Sequence, residues 1–128
     1  MLLDIFTEDP TWFAWSATAL EHAADAGPLV INAVVYAEIS ARFDRIEELE
    51  ATLASSDFDL RAIPREAAFL AGKIFVKYRR AGGRKVAPLP DFLIGAHAAV
   101  DRLPLLTRDE RRFRSNFPSV RLISPGNR

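Results

Sequence analysis

The sequence contains no cysteine. That excludes disulfides, thiolate nucleophiles and cysteine-ligated zinc, and it is what a reducing, cytosolic compartment permits. Histidine occurs only twice, so a histidine-rich metal site is excluded too. Neither sign of charge is in excess: 17 Lys and Arg stand against 17 Asp and Glu, a formal net charge of zero. No global field therefore draws the chain onto nucleic acid or an anionic membrane, and any such contact must use a local patch. No apolar run reaches the roughly eighteen residues of a membrane span, and no basic region precedes a signal core at the N-terminus. Gly-rich phosphate loops, Ser-His-acid spacings, internal repeats, low-complexity blocks and linkers are all missing. These absences leave a soluble cytoplasmic domain as the expectation.

What is present is core-forming material. Hydrophobic residues make up 49% of the chain, with nine Phe and two Trp. A chain of 128 residues is read as one domain, able to bury roughly two-thirds of its unfolded surface. Met1–Phe6 is too short for periodicity to choose helix or strand. Asp9-Pro10 opens a helix carrying Trp12, Trp15, Ala19, Leu20 and Ala23, which Gly27-Pro28 stops. Leu29-Val30-Ile31 is a short branched apolar run suited to a buried parallel strand. Asn32 can cap the next helix, with Val34, Val35, Ala37, Glu38, Ile39 and Phe43. A further helix carries Ile46, Leu49 and Leu53, with Glu47, Glu48 and Glu50 on its wet side, and Ser55-Ser56-Asp57 breaks it.

The second half repeats the alternation. Asp59–Ile63 reads as a strand, and Pro64 opens a long helix with Ala67, Leu70, Ala71, Ile74, Phe75 and Tyr78 inward. Gly82-Gly83 ends that helix, and Arg84-Lys85 begin a loop. Pro90 disfavours helix in Leu89, so a new helix starts there with Asp91 in its first turn. Phe92, Leu93, Ile94, Ala96, Ala98, Ala99 and Val100 leave it little polar face, which marks it as buried. Gly95 lies one turn beyond Asp91 and allows a neighbour to approach the backbone closely. Leu103–Thr107 and Val120–Ile123 read as strands around a turn or short helix at Arg108–Phe113. Strands alternating with helices predict an α/β fold around a mostly parallel sheet, with ligands beyond the carboxyl ends of the strands.

Three acids could face that edge: Glu38 on the helix after Leu29–Ile31, Asp91 at the mouth of its helix, and Asp109 after Leu105–Thr107. Each also has a plainer role. Asp91 can cap its helix, Asp109 can close a turn in which Thr107 serves equally, and Glu38 can pair with Arg42. An unpaired Glu38 among core neighbours would cost several kcal/mol or take up a proton. Carboxylates held close repel and raise each other's pKa unless a cation sits among them. Oxygen-only donors point to Mg²⁺ or Mn²⁺ rather than zinc, and such a site hydrolyses phosphodiesters by activating water and neutralising phosphate charge. His97 reads as a satisfied core or interface histidine, and His22 as solvent-facing. The Lys73, Lys77, Arg79, Arg80, Arg84, Lys85 cluster either grips phosphates or is simply solvated, and Tyr78 beside it packs.

Taken together, three stretches resemble a PIN-domain ribonuclease, specifically the VapC-type toxin of a toxin–antitoxin pair. They are Ile31-Asn32-Ala33-Val34-Val35-Tyr36-Ala37-Glu38; Tyr78-Arg79-Arg80-Ala81-Gly82-Gly83 leading to Pro90-Asp91-Phe92-Leu93-Ile94-Gly95-Ala96-His97-Ala98; and Leu106-Thr107-Arg108-Asp109 with Phe113. The resemblance spans residues 2 to 123 and rests on their joint order and spacing. It implies a parallel sheet flanked by helices, with acids around Mg²⁺ or Mn²⁺ cutting RNA. By position Glu38 resembles the family's second acid, Asp91 its third and Asp109 its fourth. Asp91 is then the main metal ligand, Glu38 an inner or water-mediated ligand, and Asp109 a supporting acid, with Thr107 as the hydroxyl residue beside it and Asn32 supporting.

The departure is at the start. Leu2-Leu3-Asp4 resembles the segment that follows the family's first strand, so Asp4 is not the catalytic acid. The first acid and its strand are expected upstream of Met1, in a longer reading frame or lost from a shortened relative; the other three acid positions favour the first. The resemblance further implies an RNA substrate, a homodimer, and a cognate VapB-like antitoxin whose basic side chain enters the acidic pocket. Two other readings stand beside the toxin. One is a binding module that holds an antitoxin peptide between the Glu38 helix and the Ile46–Leu53 helix without cutting RNA. The other is a housekeeping PIN nuclease of RNA processing.

Overall fold

The computed structural model describes residues 1–6, 8–82 and 89–125. Expectations for Gly83, Arg84, Lys85 and the Asp4 side chain lie outside the described residues. The chain divides into two compact units, Met1–Ala62 and Ile63–Arg128, each with its own core.

The first unit runs α1 (Leu2–Phe6), α2 (Phe13–Ala26), β1 (Leu29–Ile31), α3 (Ala33–Ser40), α4 (Ile46–Ala54) and β2 (Phe58–Leu60). The undecided N-terminal run is helical. The helix expected to open at Asp9-Pro10 opens later. The Asp9 carboxylate accepts from the backbone N–H groups of Thr11 at 2.8 Å and Trp12 at 2.9 Å in a turn that leads into α2, whose own N-cap, Trp12, makes no side-chain cap hydrogen bond. Regular helix then starts at Phe13 and ends before Gly27. Trp12 and Trp15 stack edge to face, and the fully buried residue of this helix is Ser16, directly after Trp15. β1 and β2 pair in parallel, Val30 opposite Asp59, with α3 and α4 forming the crossover between them. The core is Leu2, Ile31, Ile39, Leu49 and Leu53, joined by Phe6, Tyr36 and Phe43. Ile46 departs from the expected pattern: it is 61% exposed although it opens the same helix as the buried Leu49 and Leu53. It is the first residue of the helix, at the rim of the groove between α3 and α4.

The second unit runs α5 (Arg65–Arg80), α6 (Leu89–Asp101), β3 (Leu105–Leu106), α7 (Arg111–Arg114) and β4 (Leu122–Ile123). Strands β3 and β4 are also parallel, Leu105 opposite Leu122. All expected strands are therefore present, Leu29–Ile31 with the expected bounds and the other three shorter, and they form two parallel pairs. Residues such as Ile63 and Leu103, read as strand, pack or turn instead of pairing. The expected inward face of α5 is observed. Ala67 and Ala71 are completely buried one turn apart, small enough to let α6 lie close.

At the centre of this unit is Phe92, only 1% exposed. Its ring meets Phe75 at 6.4 Å, Tyr78 at 5.4 Å and Phe117 at 6.2 Å, each edge to face. Such contacts add about 0.5–1.5 kcal/mol per pair beyond burial of area. One turn on, Gly95 is buried because the Phe117 ring packs against its α-carbon, leaving no room for a β-carbon. The close neighbour expected at Gly95 is thus Phe117. Gly95→Ala should destabilise the protein by about 1–3 kcal/mol by overpacking a ring that cannot move to solvent. Phe117→Leu in the same chain should recover part of that loss. Thermal melts of the two single variants and the double variant measure the coupling.

Candidate active site

Each candidate acid owes its place to local structure. Asp91 lies in the first turn of α6, one residue before the clamped Phe92, so the aromatic cluster that locks the helix also fixes the carboxylate. Its side chain is 16% exposed. Asp109 follows β3, in a turn closed by Thr107, whose Oγ1 accepts the Asp109 backbone N–H at 3.2 Å. Thr107 therefore has the turn-closing role considered for it, and through that role it orients Asp109. The Asp109 side chain is 45% exposed.

These two acids meet on one cation that the sequence reading missed. Arg112 donates from Nε to Asp109 Oδ2 at 3.0 Å and from Nη1 to Asp91 Oδ2 at 3.2 Å. Its own side chain is 59% exposed. Half of this arrangement had a signal, since Asp109 and Arg112 are three residues apart on a helical turn. The other half, spanning from residue 91 to 112, had none. Burial pushes the Asp91 carboxyl above its ordinary value of 3.8; Arg112 pulls it back and the Asp109 charge adds to the rise.

Behind Arg112, the short α7 is held by a second polar group. Glu110 accepts from Arg114 Nη2 at 2.6 Å and from the buried Ser124 hydroxyl at 2.8 Å. The Ser124 and Arg114 hydrogen bonds hold the Glu110 carboxyl below its ordinary range. Farther along α6, His97 is buried and its Nε2 lies 3.0 Å from Asp101 Oδ2, which makes it the satisfied core histidine that was expected. His22 is exposed, also as expected.

In the first unit, Asn32 is buried and caps α3, its Oδ1 accepting from Val34 N at 3.0 Å and Val35 N at 3.1 Å. Glu38 lies on the last turn of α3 and is exposed. The sequence reading set it among core neighbours; the helical turn of roughly 100° per residue instead puts Ile39 inward and Glu38 beside it in solvent. Between α3 and α4 lies a cavity of about 160 Å³ lined by Tyr36, Phe43, Arg45, Ile46 and Leu49. The Tyr36 hydroxyl bridges the two helices by donating to Glu50 at 2.6 Å.

The donors around Arg112 suit a hard divalent cation in kind, being carboxylate oxygens that already converge on one positive centre. In number they are two, and among the described residues no group of three or more His, Asp or Glu has metal-holding geometry. Lys73, Lys77, Arg79 and Arg80 are exposed on α5; Lys73 lies over the Phe69 ring at 5.1 Å and Arg79 over Phe75 at 5.7 Å, while Tyr78 packs on Phe92.

The raised pKa of Asp91 has a stability consequence. The folded state binds this proton more tightly than the unfolded chain, so ionised Asp91 costs stability at neutral pH. That cost is relieved as pH falls through the folded value and is gone below the unfolded one. Asp91→Asn should therefore melt higher than the parent at pH 7. The gap should close as the pH is lowered towards the ordinary carboxylate range, as scanning calorimetry at several pH values would show.

Comparison with known proteins gives this arrangement its context. No curated protein matches the chain. A structure of VapBC2 from Rickettsia felis, bound to a DNA fragment from their promoter, is similar with a TM-score of 0.70 and 19% identity, over 96% of this chain and 92% of that one. A DNA-bound VapBC structure from Salmonella typhimurium is similar with a TM-score of 0.58 and 24% identity, over 74% of each chain. At these identities the likeness is one of fold: helices flanking parallel strands. The family model for the PIN domain matches residues 1–116. The chain belongs to the PIN-domain family.

Proposed function

We propose that this protein is a metal-dependent endoribonuclease of VapC type, a cytoplasmic toxin that a cognate VapB-like antitoxin neutralises. The observation that carries the reading is the pairing of Asp91 with Asp109 on a single cation, with Asp91 partly desolvated on a helix its own core clamps. A nuclease of this class needs carboxylates that are fixed before substrate arrives, because reorganising them in the transition state would forfeit their electrostatic value. Asp91 would be the main ligand for Mg²⁺ or Mn²⁺ and Asp109 a supporting acid oriented by Thr107; for Glu38, on α3 of the first unit, the role of an inner or water-mediated ligand is what the family resemblance implies. Asn32 supports Glu38 by fixing the start of its helix. A divalent cation held by these acids would supply an activated water and offset charge building on the phosphate. RNA is the substrate, and the working form is a homodimer.

Support for the antitoxin comes from the first unit. The cavity between α3 and α4 offers an apolar floor of Phe43 and Leu49 and an exposed Ile46 at its rim. An amphipathic helix or extended peptide seats in such a groove by inserting apolar anchors. Glu47, Glu48 and Glu50 on α4 favour a basic antitoxin segment.

A second reading has its own observation. Two carboxylates already bridged by Arg112, with no third in metal-holding geometry among the described residues, suit a module that binds the antitoxin without cutting RNA. Cleavage assays separate the two. Structured RNA should be cut in the presence of Mg²⁺ and spared in chelator, by this chain or by one extended upstream in frame. Asp91→Asn should lower the rate by about a hundredfold or more, the scale of losing one preorganised electrostatic group. Cutting that survives Asp91→Asn would overturn the metal site centred on Asp91, and no cutting in either form would leave the binding module standing.

A further inference from the structure

We infer that Arg112 is the resident counter-ion of the Asp91–Asp109 pair, and that a divalent cation enters the site by displacing its guanidinium. The inference rests on the metal-dependent reading above and adds a built-in competitor to it.

Three observations lead to it. Arg112 spends two different nitrogens, Nε and Nη1, on the two acids, at 3.0 and 3.2 Å. The guanidinium thus bridges the two carboxylates, and a cation that is to be shared by them competes with it for the same oxygens. Second, the exposures are opposed: Arg112 is largely in water, whereas Asp91 is mostly enclosed beside Phe92. The arginine can swing out without unpacking anything; the aspartate cannot follow it. Third, its anchor is fixed, because the adjacent Phe113 is buried in the core and Glu110 is tied to Ser124. The side chain is free to leave but its backbone is not, so it stays within reach of the site.

The energetics suit a competitor rather than a permanent lock. Partly exposed ion pairs are individually weak, so displacing both lowers metal affinity without abolishing it. Arginine stays protonated at any physiological pH. The competition therefore sets a threshold in metal concentration and does not act as a pH switch. The neighbouring cations are placed otherwise: Arg114 is engaged with Glu110, and Arg111 is exposed.

Calorimetric titration of the full chain with Mn²⁺ tests this. Arg112→Gln should bind Mn²⁺ about tenfold more tightly than the parent, about 1.4 kcal/mol. Arg112→Lys, a point charge without the two-pronged fork, should fall between them. Arg111→Gln removes the same charge one residue away and should leave affinity near that of the parent, since exposed charges are screened at ordinary ionic strength. In chelator, Arg112→Gln should also melt lower than the parent, because its two acids then repel, and should recover more steeply as Mn²⁺ is added. Equal affinity in parent and Arg112→Gln, weaker binding in the variant, or equal tightening in Arg111→Gln would each overturn the inference while leaving the metal-dependent reading intact. Absence of Mn²⁺ uptake in every form would overturn both.

Discussion

The site in the second unit depends on one buried ring. Phe92 touches Phe75 and Tyr78 on α5 and Phe117 beyond α7, so a single side chain sets the packing of two long helices and the segment that follows β3. Full burial of an aromatic side chain supplies several kcal/mol. Asp91 is the residue before it. A carboxylate that is costly to desolvate is thus attached to the group whose desolvation is most favourable, and the second effect holds the first in place. The residues around the ring follow from the same need. Ala67, Ala71, Ala96 and Gly95 are small because the helices must come close enough to grip it.

Electrostatically the same region is a compromise. Asp91 and Asp109 would repel if left alone, and burial of Asp91 sharpens the repulsion. Arg112 relieves both at modest cost because it is mostly solvated. A site of this kind is stable when empty of any external ion, which a site of bare converging acids is not. Burial and ionisation oppose each other at Asp91, since enclosing the carboxylate raises the cost of its charge.

Much of this was legible in the sequence, for reasons that differ by element. The helices α4, α5 and α6 declared themselves through apolar spacing and start signals such as Pro64 and Pro90, since a buried stripe leaves a periodic trace. Leu29–Ile31 was placed to the residue because a short branched run bounded by Gly27-Pro28 and Asn32 has few alternatives. Strand lengths in the second unit were overestimated: apolar residues there fill core without finding a backbone partner, and composition does not distinguish the two. Of the site, the roles of Asn32 and Thr107 as backbone acceptors and of His97 as a paired core residue were readable locally. Arg112 was not, because its tie to Asp91 joins helices far apart in sequence. Glu38 was read as enclosed from its neighbours' character, when the direction of its own side chain decides.

The hydrogen bond between Ser124 and Glu110 has a wider implication. A helix of four residues cannot sustain itself, since nucleation costs more than so few hydrogen bonds return. α7 persists because Phe113 is buried and because Glu110 is tethered to the far side of β4. The cation over the acids is thereby suspended from the last strand of the unit, a stretch with no chemistry of its own. A nick or extension beyond Ile123 that loosened Ser124 would free the arm carrying Arg112 while leaving both carboxylates untouched. The C-terminal segment is in that sense the tensioning end of the site.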